Sequence, residues 1–131
     1  MDTNIDVIGI TYKIGNLEIA QNDFPYEMNW NKSNQSCLEL GDGWRLPTKE
    51  ELELIYENKT KISGLAKVPW YWGIAKIFGF AKIGHFADAW YWSSSLVDKE
   101  NAWTQKLTAK GGQFVHDKLY DYNHVRAVRS L

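Results

Sequence analysis

The chain has 131 residues and a formal net charge of −1, with 44% hydrophobic and 24% charged residues. This length suits one domain with its own core, and the composition is typical of a globular protein. The near-neutral balance excludes a strong overall field that would attract nucleic acid or a membrane surface.

The charge is nevertheless uneven along the chain. Residues 1–60 hold 11 acids and 5 bases, whereas residues 61–131 hold 5 acids and 10 bases. Either the two parts complement each other within one fold, or the basic part favours an acidic partner.

A single cysteine, Cys37, excludes an intrachain disulfide and a cysteine-based metal site. No signal peptide is recognisable at the N-terminus, and the compartment stays open. No run of about 18 apolar residues occurs, so we expect no membrane span.

Strand-like alternation opens the chain. Apolar residues share one parity over 7–14, Gly15-Asn16 suits a tight turn, and alternation resumes over 17–20. This predicts a hairpin. Asn29 is then expected to cap a helix that begins at Trp30 and ends near Leu40, because glycines follow.

The run GDGWRLPTKEEL, residues 41–52, joins that helix to a second one. Thr48 and Glu51 have the spacing of a capping box, in which each side chain accepts the other's backbone amide. The second helix is predicted to reach about Asn58. We interpret Trp44 as a core residue and Arg45 as a tie to nearby carbonyls or a carboxylate.

Residues 61–89 look like an inserted, internally duplicated segment. KISGLAKV at 61–68 is echoed by KIFGFAKI at 76–83, and WYW follows each copy. We expect a loop that folds over and packs on the domain. The alternative is an amphipathic piece on a membrane surface, which the glycines oppose.

The rest of the chain reads as short strands. We predict a strand from Trp90 through the serines at 93–95, a hairpin over 103–107 and 113–115, and a last strand over 124–131. Trp92 and Trp103 are interpreted as core. Grouped helices with antiparallel strands indicate the α+β class.

The motif series GDGWRLPTKEEL, YWSSS, AWTQKL and VRAVRS resembles a bacterial and phage domain family of unknown function with a C-type-lectin-like fold. One relative is the C-terminal domain of a collagen-like bacterial adhesin of the Lcl type. The resemblance covers about residues 12–131 apart from the insert.

The resemblance implies one C-type-lectin-like domain over residues 1–131. The first and last strands would pair, two helices would pack on that sheet, and a long loop region would carry a smaller sheet. Binding in such proteins uses the upper loops, which here correspond to the insert, 98–101 and 116–123. Relatives are often surface-exposed or virion-associated.

Three departures limit what the resemblance implies. The Glu-Pro-Asn or Gln-Pro-Asp and Trp-Asn-Asp motifs of calcium-dependent sugar binders are absent, as are the paired lectin disulfides. Formylglycine-generating enzymes share the broad fold but use C-terminal cysteines, whereas Cys37 lies on the first predicted helix. We therefore expect no enzyme of that kind.

The best candidate ligand contacts are in the loop after the last hairpin, because Tyr and Asn combine rigid contact area with adaptable hydrogen bonds. Exposed tryptophans of the insert can stack on a sugar or anchor a protein, although they can equally fill the core. The candidates are Lys118, Tyr120, Asp121, Tyr122, Asn123, Trp70, Tyr71 and Trp72.

No catalytic constellation is recognisable, and the three histidines are scattered, so we expect no metal and no cofactor. The hypothesis is a non-enzymatic binding module, adhesin-like or used in surface display, for a glycan or protein ligand. The alternative is a structural or assembly component whose aromatic insert forms an oligomer interface.

Overall fold

The chain forms an α+β fold of helices and small antiparallel sheets. A computed structural model describes residues 7–59, 65–67, 80–82, 86–108 and 110–131. Its helices are α1 (Trp30–Glu39) and α2 (Lys49–Glu57). Its strands are β1 (Tyr12–Ile14), β2 (Leu17–Ile19), β3 (Leu65–Lys67), β4 (Phe80–Lys82), β5 (Trp90–Leu96), β6 (Asn101–Lys106), β7 (Gln113–Asp117) and β8 (Val128–Ser130).

The first sheet has the order β1-β2-β8, and all its pairs are antiparallel. The expectation that the first and last strands pair is wrong in detail. β8 lies beside β2, with Ile19 opposite Val128, and β1 lies on the outer side of β2. β2 is the central strand: β1, joined to it by the tight turn at Gly15-Asn16, pairs with one of its edges, and β8 pairs with the other.

The first strand is shorter than predicted. Val7 and Ile8 are helical, and the strand begins at Tyr12. Gly9 lies between these two parts with φ +54°, a conformation that favours glycine. The Gln21 side chain occupies the space where a Gly9 Cβ would lie and accepts the amide of Ile10 at 2.7 Å.

Both predicted helix starts are confirmed. The Asn29 side chain accepts the amide of Lys32 at 3.0 Å. At α2, the Thr48 hydroxyl accepts the amide of Glu51 at 3.1 Å, and the Glu51 carboxylate accepts the amide of Thr48 at 2.8 Å.

A second three-stranded sheet has the order β5-β6-β7. Its register shifts between Trp92 and Leu96, where the serines of β5 lie. This irregularity ties the sheet to the 41–52 run: the Ser94 amide donates to the Pro47 carbonyl at 2.7 Å, and the Lys49 amide donates to the Ser95 hydroxyl at 2.9 Å.

The last predicted strand is also shorter than expected. His124 exchanges hydrogen bonds with the β5 backbone at Trp90 and Trp92, at 2.9 and 3.1 Å, while β8 joins the other sheet. The chain over 124–130 therefore passes from one sheet to the other, and only Val128–Ser130 is regular strand.

The duplicated segments pair with each other where the structure describes them. β3 and β4 are antiparallel, with Ala66 opposite Ala81. These two alanines occupy the same position in KISGLAKV and KIFGFAKI, so the pair has local two-fold symmetry. The segment therefore turns back on itself between these strands, and its expected packing on the domain falls outside the described residues.

Among the described residues, the core comprises two clusters. One, against α1, contains Trp44 and Trp92, and the other, against α2, contains Leu52 and Ile55. The Trp92 indole is fully buried and donates to the Met28 carbonyl at 2.7 Å. The core assignment of Trp103 is wrong: the side chain is half-buried, and the Lys49 ammonium lies 4.6 Å from its ring.

Candidate functional site

Of the predicted loop 116–123, His116 and Asp117 belong to β7, and residues 118–122 form the candidate loop, which is held at both ends. At its start, the Lys118 amide donates to the Glu100 carbonyl at 2.9 Å, and the Trp30 amide donates to the Lys118 carbonyl at 3.0 Å. At its end, Asn123 exchanges two backbone hydrogen bonds with Met28, each 3.0 Å. The loop is therefore fixed between the β5–β6 turn and the beginning of α1.

Two aspartates set the conformation within the loop. One Asp117 oxygen accepts the amides of Leu119 and Tyr120 at 2.8 and 2.9 Å. An Asp121 oxygen accepts the Asp117 amide at 2.7 Å, and the Asp121 amide donates to the Asp117 carbonyl at 3.1 Å. Carboxylates that accept several backbone amides hold a turn in one shape.

The residues presented by this frame are large and exposed. Tyr120 is 77% exposed and Tyr122 is 60% exposed, and Leu119 is exposed as well. Beside Tyr120 lies a groove of about 440 Å³, lined by Asn31, Lys99, Glu100, Asp117, Lys118, Leu119 and Tyr120. The site thus combines aromatic surface with amide, ammonium and carboxylate groups.

Two of the predicted ligand contacts, Asn123 and Lys118, instead hold the loop through contacts with neighbouring residues. Asn123 is only 3% exposed, and its side-chain amide lies 3.0 Å from the His116 Nδ1. The Lys118 ammonium lies 4.2 Å from the Trp30 ring and donates to the Lys99 carbonyl at 3.3 Å. Tyr120 and Tyr122 are the exposed members of the set, and Trp70, Tyr71 and Trp72 lie outside the described residues.

The neighbouring turn at 98–101 is also closed by a carboxylate. Asp98 accepts the Glu100 amide at 2.8 Å and the Asn101 side chain at 3.1 Å. The backbone bond from Glu100 and the bond from Asn101 lower the pKa of Asp98 below its usual value. Both sides of the groove are therefore formed by turns with bonded acceptors.

The groups with catalytic potential elsewhere are occupied. Burial raises the pKa of the Cys37 thiol to about 12, so it remains protonated and poorly nucleophilic. The Ser93 hydroxyl donates to the Trp103 carbonyl at 2.7 Å, so it stabilises the irregular part of β5. In the described residues, no three His, Cys, Asp or Glu side chains are grouped to hold a metal ion.

A buried ionic cluster that sequence analysis did not predict lies apart from the loop. Arg126 is almost fully buried, donates to Asp23 at 2.9 Å and stacks 4.3 Å from the Phe86 ring. The Tyr91 hydroxyl donates to the other Asp23 oxygen at 2.7 Å, and burial together with Asp23 raises the pKa of Tyr91. His124 lies 3.8 Å from the same carboxylate.

This cluster is structural rather than an open site. Across the described chain, every buried side-chain nitrogen and oxygen has a hydrogen-bond partner. Its members come from three distant segments, so no local spacing could have revealed it. The cluster joins the 21–28 loop, β5 and the chain before β8.

No protein-family model matches the chain, and no curated protein matches its sequence significantly. Among the described residues, no helix combines the length and apolar character needed to cross a membrane.

Proposed function

We propose that this chain is a non-enzymatic binding module that presents the 118–122 loop and its groove to a glycan or protein ligand. The observation that carries the proposal is the exposure of Tyr120 on a loop fixed by Asp117 and Asp121. A side chain exposed on a flexible loop would lose conformational entropy on binding, whereas this loop is already ordered.

We also propose that the fold is C-type-lectin-like. Three features support this: β8 pairs back onto the N-terminal hairpin, two helices pack on the sheets, and β5, β6 and β7 form a separate sheet. In that architecture the loops beside the separate sheet are the recognition surface, which is where Tyr120 and Tyr122 lie.

The groove favours a ligand with polar groups over a purely apolar one. Its lining includes the charged Lys99 and Glu100 and the amide of Asn31, beside the Tyr120 ring. Rings that stack combined with nearby polar groups suit a sugar face or a polar protein surface. We expect moderate affinity, because the groove is open to solvent and its acceptors are already partly bonded.

The test measures binding of the full chain to an array of neutral and sulfated glycans and to a protein array. We expect Tyr120→Ala and Tyr122→Ala each to weaken the strongest signal at least about tenfold, the size usual for a central aromatic contact. Tyr26→Ala is the matched control, since Tyr26 is comparably exposed but belongs to the 21–28 loop. Binding that survives both loop substitutions would show that the loop is not the site.

A further inference from the structure

The outer edge of β7 has a property that the binding loop does not explain. β7 is the last strand of its sheet and pairs only with β6 there, with Phe114 opposite Thr104 and Val115 opposite Trp103. At the two ends of this pairing, the Lys118 backbone amide donates to the Glu100 carbonyl at 2.9 Å and the Lys106 backbone amide donates to the Gly112 carbonyl at 3.1 Å. These bonds determine which residues of β7 direct their backbone N–H and C=O groups towards β6.

In an antiparallel pair, every second residue exchanges hydrogen bonds with its partner strand, and the residues between point away from it. Phe114 and His116 therefore bond to β6. Gln113, Val115 and Asp117 direct their backbone N–H and C=O groups outward.

The outward groups of these three residues differ in their partners. Asp117 is satisfied, because Asp121 accepts from its amide at 2.7 Å and donates to its carbonyl at 3.1 Å. For Gln113 and Val115, no outward backbone partner occurs among the described residues. The bare part of the edge thus spans three residues, two of which direct their backbone groups outward, and it carries the exposed side chains of Phe114 and Val115.

We propose that this edge pairs antiparallel with the same edge of a second copy of the chain. A register with Phe114 opposite Phe114 of the second copy places Gln113 opposite Val115 twice, which forms four backbone hydrogen bonds. A register centred on Val115 would place Gln113 opposite Asp117, whose groups Asp121 already occupies. A two-fold contact is self-complementary, because each copy supplies the donors that the other needs.

Side chains agree with this register. Phe114 is 52% exposed and would meet its symmetry mate in a non-hydrogen-bonded pair, where side chains lie closest. The same register aligns Lys110 of one copy with Lys118 of the other, whose ammonium is held 4.2 Å from the Trp30 ring.

The contact is small, so the dimer is weak. Stable interfaces bury about 800 Å² on each partner, and one short strand edge with a single aromatic side chain provides less. We therefore expect a dissociation constant of about 0.1–1 mM, well above that of a permanent dimer.

The first experiment is sedimentation equilibrium of the full chain from about 10 μM to 2 mM, a range that spans the expected dissociation constant. The average mass should rise from 15.2 kDa towards twice that value. Val115→Pro removes an outward N–H without removing a bond to β6, and it should weaken association at least about tenfold. Tyr120→Ala, which tests the binding loop, should leave association unchanged, so each of the two proposals can be refuted without the other.

Amide hydrogen exchange of the unmodified chain gives a second measurement that needs no variant. The amides of Phe114 and His116 should be protected at every concentration. Those of Gln113 and Val115 should exchange fast in dilute protein and slow about three- to sevenfold at about 2 mM, where about 15–40% of the chain is still monomeric for a dissociation constant of about 0.1–1 mM. A constant mass of 15.2 kDa, association of Val115→Pro equal to that of the unmodified chain, or a Val115 amide insensitive to concentration would each overturn the proposal.

Discussion

Replacing Glu51 with alanine tests whether one side chain holds the junction between the two helices. Its carboxylate accepts the Thr48 amide at 2.8 Å and receives two bonds from the Arg45 guanidinium, at 2.7 and 2.9 Å. Arg45 also donates to the Leu46 carbonyl and to the Ser130 hydroxyl, which lies in β8. Glu51 therefore links the cap of α2 to the last strand.

The expected cost follows from these bonds. Losing the acceptor for the Thr48 amide costs about 0.5–1.5 kcal/mol. Losing the paired Arg45 costs about 1 kcal/mol, a low figure because both side chains are partly exposed and screened. The higher helix propensity of alanine than of glutamate offsets this loss by a few tenths of a kcal/mol. The sum is a loss of about 1–2 kcal/mol, or a lower Tm by roughly 4–10 °C.

Chemical denaturation and thermal melts measure this loss, and Glu50→Ala is the matched control. Glu50 is exposed and lies in the same first turn, so its removal should cost only about 0.3–0.5 kcal/mol through the helix dipole. Equal losses for the two variants would refute the reasoning, since the capping bond and the Arg45 pair would then contribute nothing measurable.

Three further outcomes are expected. Tyr91→Phe should lower the free energy of unfolding by about 1–2 kcal/mol in urea, because the Asp23 carboxylate loses a buried donor; unchanged stability would contradict this. Burial raises the pKa of Glu18, but its hydrogen bonds, one of them from Arg129, lower it more, so the net shift is downward. The stabilisation is therefore complete above the ordinary value of 4.5 and falls as the pH drops through the folded-state pKa. As the pH falls, the Tm of Arg129→Gln should decline less than that of the unmodified chain. An equal decline would show that the Glu18–Arg129 bond does not contribute to the pH dependence. Cys37, buried with a pKa of about 12, should react with thiol reagents only at the rate of unfolding, and fast labelling of the native chain would show otherwise.

The elements that were predictable are those defined by local chemistry. Asn29, Thr48 and Glu51 satisfy helix ends through side chains three residues apart, and such bonds depend little on the rest of the chain. The α+β class followed from the order of helices and strands. Arg45 found the carboxylate partner that its five donors implied.

The parts that were not predictable depend on distant contacts. The pairing of β8 with β2 and the position of Arg126 beside Asp23 join residues more than 100 positions apart. Alternation also misled over 7–14, where a glycine with positive φ breaks the pattern. In the candidate site, the aromatic residues of the loop were found by composition. The burial of Asn123 accompanies its backbone β-bridge to Met28, a contact that no local sequence pattern predicts.

The position of β8 has a consequence for the order of events during synthesis. The bond between Arg129 and Glu18 spans 111 residues, and Val125, Ala127 and Val128 fill the core from the same last segment. The N-terminal hairpin leaves the ribosome early but cannot complete its sheet until these residues emerge, about 5–20 s later at ordinary rates of translation. Through that interval β2 has one bare edge and the apolar faces of both helices are incompletely covered. While these 111 residues are made, the nascent chain therefore exposes core surfaces that the last segment later covers.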